Sequence, residues 1–221
     1  MKRNLKFWTR YTWESTGVDL AIAGILAVIA VFGADQLDFS LLASVLPYFL
    51  CIAAIFGMML INSGSQALYV PLLLSMGETR RNVLLGFHYY RALIITVTMA
   101  LCGLVWLLAP GEVSETGLRS LPTIVCVLVI AASLGSILGT IFVRWKWAGT
   151  LLIILMCGVM GGIIGMTGAT AANGGFSMAD TLELTAYLER LPWQLVLAAL
   201  GALALDVVFQ WLLLRRQEVK L

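Results

Sequence analysis

The chain has 221 residues, of which 61% are hydrophobic and 12% charged, and a formal net charge of +2. A soluble domain carries about twice that charged fraction. The mean hydropathy of +0.96 and apolar blocks about as long as a bilayer core requires exclude a soluble protein and point to an all-α, multi-pass membrane protein. A barrel would alternate in short segments instead.

Six transmembrane helices are expected, at 18–33, 41–61, 89–108, 121–143, 148–168 and 193–214. With the N-terminus inside, the cytosolic side receives every Lys and Arg except Arg119 and Arg190, while Asp35, Asp38, Glu112, Glu115, Asp180, Glu183 and Glu189 fall outside. By the positive-inside rule both termini are cytosolic. The first apolar run follows a basic, aromatic stretch and lacks a small-residue cleavage site, so it is not read as a secretory signal.

Residues 3–16 read as an interfacial elbow helix. Leu5, Phe7, Trp8 and Tyr11 share one half of the wheel and Arg3, Lys6 and Arg10 the other, with Trp13 breaking the pattern. Such a helix lies among lipid headgroups with its basic face toward anionic lipid. It serves either as a plain anchor or as an elbow leading into a partner surface. Pro47 sits one turn into the second span, where a kink is tolerated.

Residues 63–87, with the 64–81 segment inside them, are the one long loop expected in the cytosol. Tyr69, Leu72, Leu73 and Met76 follow helical spacing and form an apolar ridge. Pro71 fits a first helical turn, and Gly77 a left-handed cap. Glu78, Thr79, Arg80 and Arg81 follow directly. A ridge of this kind either lies on lipid or seats in another protein's groove, with the Arg pair meeting acidic groups at the rim.

The loop 109–120 is expected to be polar and external. Arg144, Trp145, Lys146 and Trp147 make a tight hairpin between the fourth and fifth spans. Gly135 and Gly139, Gly158 and Gly162, and Gly161 and Gly165 are spaced four apart, which permits close backbone approach within one subunit or between subunits. An outer amphipathic helix is expected at 176–191. Ser177 and Asp180 cap it, and Leu184, Tyr187, Leu188 and Leu191 share its apolar face. It either rests on the leaflet or gates a path.

No catalytic constellation is evident. The single histidine, His88, is near the cytosolic lip of the third span, and Cys51, Cys102, Cys126 and Cys157 scatter through the spans as small buried residues. There is no phosphate-cradling G-x-x-x-x-G-K-[ST] and no metal motif. Asp206 lies well inside the last span, where a charge must face protein or water. Arg91, entering from the same side, is its candidate partner in an intramembrane charge pair. The alternative role for Asp206 is proton or cation coupling.

Residues 71–81, P-L-L-L-S-M-G-E-T-R-R, resemble the coupling-helix segment of ABC-2-type transporter permeases. Ser75, Gly77, Thr79 and Arg80 fit the family's Ser-x-Gly-x-(Thr/Ser)-Arg pattern. Elbow, six spans, cytosolic ends and outer helix resemble the family's layout across 1–221, read as a single permease domain. The resemblance implies a non-catalytic subunit of an ATP-driven exporter in a bacterial cytoplasmic membrane. ATP and Mg would be held by a separate ABC ATPase, and a second permease copy or a sister permease would complete the pathway as a dimer. Leu72, Leu73, Ser75, Met76, Gly77, Glu78, Thr79, Arg80 and Arg81 would be the ATPase-coupling residues. Membrane lipid is a further partner, and nucleic acid is not. The chain is similar to exporters of amphipathic peptides of the phenol-soluble-modulin kind. Other cargoes (antibiotic, lantibiotic, lipid, sodium) and an ion-coupled secondary transporter using Asp206 stand as alternatives.

Overall fold

A computed structural model describes residues 2–33, 39–108, 112–151, 154–155, 158, 162 and 193–216. The loop at 34–38, the outer helix expected at 176–191 and most of the fifth span expected at 148–168 lie outside the described residues.

The described elements are five long helices: α1 (Lys2–Gly33), α2 (Phe39–Ser75), α3 (Arg80–Leu108), α4 (Glu112–Arg144) and α5 (Trp193–Arg216). Residues 146–151 are also helical. Among the described residues, five stretches are long and apolar enough to cross a membrane: Leu5–Ile29, Leu46–Gly64, Arg80–Leu108, Gly117–Arg144 and Trp193–Leu212. A helix is the natural choice for such stretches, because hydrocarbon offers backbone N–H and C=O groups no other partner.

Three helices are longer than hydropathy alone indicates. The elbow at 3–16 and the span at 18–33 are one unbroken rod, α1. At its polar junction the hydroxyls are satisfied by bonding back along the helix. Thr12 Oγ1 donates to the Trp8 carbonyl at 2.8 Å and Ser15 Oγ to the Thr12 carbonyl at 3.0 Å.

The second span likewise continues through most of the 64–81 segment as α2, which leaves Pro71 in a helix interior and not in a first turn. The loop expected at 109–120 is mostly helix, since α4 begins at Glu112. There Gly117 meets the Trp106 ring so closely that a Cβ would stand 2.5 Å from it.

α2 packs against α1, α3 and α4, and α4 packs also against α3 and α5. The α2–α4 contact is backbone on backbone. A Cβ at Gly135 would lie 2.7 Å from Met59 Cα, and one at Gly139 2.7 Å from the Ser63 carbonyl oxygen. Small residues at this spacing thus serve packing within the chain. Asn62, fully buried, donates from Nδ2 to the Ala132 carbonyl at 3.3 Å across the same contact. By contrast, a Cβ at Gly158 or Gly162 would meet nothing within 4 Å among the described residues.

Between α2 and α3 the free thiols of Cys51 and Cys102 bring their Sγ atoms to 3.6 Å. At the end of α4 a single non-helical residue, Trp145, turns the chain. Its N–H bonds the Ile141 carbonyl at 2.7 Å and its own carbonyl accepts the Gly149 N–H at 2.9 Å. Trp145 and Trp147 are both exposed, as suits tryptophans at a membrane–water boundary.

Candidate functional site

The turn joining α2 to α3 is built residue by residue from its sequence. Gly77 has φ +85°, a left-handed conformation that favours glycine. Its N–H bonds the Leu74 carbonyl at 3.1 Å, and the Glu78 N–H bonds the Leu73 carbonyl at 3.1 Å. This pair of bonds is the Schellman arrangement, which satisfies the last carbonyls of a helix. The next residue but one starts α3. Thr79 caps it, its Oγ1 accepting the Asn82 N–H at 3.3 Å and its carbonyl the Val83 N–H at 3.0 Å. Asn82 Nδ2 in turn donates to Glu78 Oε2 at 3.2 Å. Two helices are therefore clamped end to end with almost no slack.

The apolar ridge splits across this turn. Leu73 is buried, and Tyr69 packs inward against Phe7, Trp8 and Tyr11 of α1, with ring centroids 5.1–6.2 Å apart. Trp8 is fully buried and reaches on to Phe87 and Tyr90 of α3. The aromatic half of the α1 wheel is thus occupied by protein, while Trp13 points away at 64% exposure. Leu72 and Met76 face outward, at 49% and 69% exposure. Ser75, Gly77, Thr79, Arg80 and Arg81 are exposed beside them, and Glu78 is half-buried. The outward surface is an apolar pair flanked by two arginines.

A second constellation is internal. Arg91 Nη1 on α3 donates to Asp206 Oδ2 on α5 in an ion pair, and Arg91 Nη2 donates to Ser133 Oγ on α4 at 3.1 Å. Gln210 Nε2 bridges Asp206 Oδ1 at 2.9 Å and Ser136 Oγ at 2.6 Å. The Arg91 guanidinium also stands 5.7 Å from the centre of the Phe87 ring. Asp206 is fully buried and Arg91 nearly so, so both charges are neutralised by each other and by hydrogen bonds, as burial in an apolar medium requires. A cleft of about 510 Å³, lined by His88, Arg91, Thr96, Val129 and Leu203 among others, opens beside the pair. His88 Nε2 is buried without a hydrogen-bond partner among the described residues.

Three members of this network, Ser133, Ser136 and Gln210, pass in the sequence for ordinary polar residues of spans. The readable signal is Gln210 one turn beyond Asp206, on the same helix face. A further acid escapes sequence reading altogether. Asp19 looks like the polar edge of a first span starting at residue 18, yet it is 3% exposed in the middle of α1. No group of three or more metal-ligating side chains occurs among the described residues.

Comparison with protein-family models, with curated proteins and with solved structures finds no match to this chain.

Proposed function

We propose that this chain is the membrane-spanning subunit of an ATP-driven exporter, coupled to a separate ATPase through the α2–α3 turn. One observation carries the reading: the exposed Leu72–Met76 pair, with Arg80 and Arg81, at the tip of a stiffly capped helical hairpin. α2 has 37 residues, or roughly 55 Å at 1.5 Å per residue, against a hydrocarbon core of ~30 Å. About 25 Å of helix is therefore available to stand clear of the core. The distribution of basic residues favours the cytosol for the Gly77 end.

A short apolar anchor ringed by cations suits a groove with an acidic rim on a soluble partner. The helix runs unbroken from that anchor into the apolar core, so displacing the tip tilts the spans as rods. This is the rigid-body kind of switch. The ATPase would supply ATP and Mg, and a second permease the other wall of the pathway. Amphipathic peptides or similar lipid-like cargo, able to enter laterally from the bilayer, suit spans that are so largely apolar. A bacterial cytoplasmic membrane is the setting the resemblance implies. The ion-coupled alternative draws less support, because Arg91 and Gln210 occupy both oxygens of the Asp206 carboxylate.

The test is affinity capture of the chain from its native membrane under gentle extraction, with ATPase activity measured on the retained material. Leu72→Asp with Met76→Asp, and separately Arg80→Glu, are the comparison variants. Capture of an ATPase that both variants lose supports the coupling role. If no ATPase is retained, or retention is unaffected by the variants, the reading fails.

A further inference from the structure

A groove of about 370 Å³ runs between α1 and α2 and shares no lining residue with the cleft beside Arg91. Its two ends differ in chemistry. Tyr11, Glu14, Ser15 and Asp19, with Val18 and Leu60, line one part, and Ile22, Leu26, Ile52 and Phe56 line the rest. Along α1 it extends from Tyr11 to Leu26, roughly 22 Å at 1.5 Å per residue. The groove is thus apolar along its length, with its polar groups confined to one part, in the manner of an amphiphile.

The polar end carries an uncompensated acid. Glu14 is engaged by Arg10 at 3.0 Å. Asp19 has no cation against it among the described residues. Its Oδ2 is buried without a hydrogen-bond partner, and the side chain is 3% exposed. Its Oδ1 abuts the α2 backbone at Gly57, where a Cβ would stand 2.6 Å away. Glycine at that position is what allows the carboxyl to sit in the groove. An acid buried in an apolar region without a partner is costly and in a membrane span usually marks a functional place.

We infer that this groove is a binding site for an amphiphilic primary ammonium, with the cationic head on Asp19 and the apolar body along Ile22, Leu26, Ile52 and Phe56. An ammonium offers three donors, and the Asp19 carboxylate and the Ser15 hydroxyl supply acceptors. The Ser15 proton is given to the Thr12 carbonyl at 3.0 Å, so toward other groups its oxygen is an acceptor. A bare divalent cation is a poor fit, because it takes six or more oxygen ligands. A neutral lipid chain would leave the carboxylate as it is. The site belongs to one chain and does not depend on the coupling role of the α2–α3 turn.

The experiment uses the purified full chain in nanodiscs of zwitterionic lipid and radiolabelled dodecylammonium, with empty nanodiscs subtracted. Dodecanol is the uncharged control. Saturable binding is expected, weakened at least about tenfold in Asp19→Asn, as loss of a charge-assisted contact implies. Binding should also be lost in Ile22→Trp, which fills the apolar end and keeps the acid. Thermal melting of each variant establishes that it is folded. Retention of binding in either folded variant overturns the proposal, as does dodecanol binding equal to that of the ammonium.

Discussion

Replacing Arg91 or Asp206 by leucine tests how the buried ion pair is held. Arg91→Leu leaves the Asp206 carboxylate fully buried, with only the Gln210 amide at 2.9 Å. Asp206→Leu leaves the Arg91 guanidinium with Ser133 at 3.1 Å, but Arg91 lines the 510 Å³ cleft and water can reach it there. Stranding one member of a buried pair costs about 3–5 kcal/mol. The loss of Arg91 should fall toward the upper end and that of Asp206 toward the lower. The double leucine variant strands no charge and should lose no more than either single change. Reversible unfolding in mixed micelles measures all four corners of the cycle. Additive losses, or a double variant worse than Asp206→Leu alone, would refute the argument that the two charges stabilise chiefly by cancelling each other.

Gly139→Leu should destabilise the chain by about 1–3 kcal/mol or more through overpacking against the Ser63 backbone, whereas Gly24→Leu, with nothing within 4 Å of its would-be Cβ, should melt like the parent in a thermal scan. Trp8→Ala empties the centre of the aromatic cluster and should cost about 3–5 kcal/mol in the same unfolding assay; an effect below about 0.5 kcal/mol, the usual range of surface changes, would mean that the cluster does not hold α1 to α2 and α3. Gly77→Ala should cost about 1–2 kcal/mol for forcing a side chain into the left-handed region, and Thr79→Ala about 1 kcal/mol for the lost cap. Equal stability of parent and Gly77→Ala would show the turn to be looser than its two cap bonds imply.

What the sequence makes legible follows from the reach of each signal. Hydropathy marks where lipid can be crossed, and five stretches expected as spans, at 18–33, 41–61, 89–108, 121–143 and 193–214, fall within long helices. Gly77 is readable because its requirement is local: one backbone angle that favours glycine. Depth along the spans nominates Arg91 for Asp206, and helical spacing brings in Gln210, but Ser133 and Ser136 join only through the angle at which α3, α4 and α5 meet. Helix continuity past residue 17 and past residue 61 is hidden for a different reason. Hydropathy falls where the chain leaves hydrocarbon, while the helix persists because aromatic packing of Phe7, Trp8 and Tyr11 on Tyr69 supports it. The same packing turns Tyr69 and Leu73 inward, which a wheel drawn for one helix cannot foresee. Asp19 is obscured by the edge assigned to the first span.

The Cys51–Cys102 contact gives the molecule a built-in gauge. A bond between these thiols would weld α2 to α3 at a point far along the hairpin from the Gly77 turn, without any added label. If the two helices travel as a single lever, the welded protein would keep working and lose only the alkylation of these two thiols. If their relative sliding is part of the stroke, the weld would arrest it and a reductant would release it.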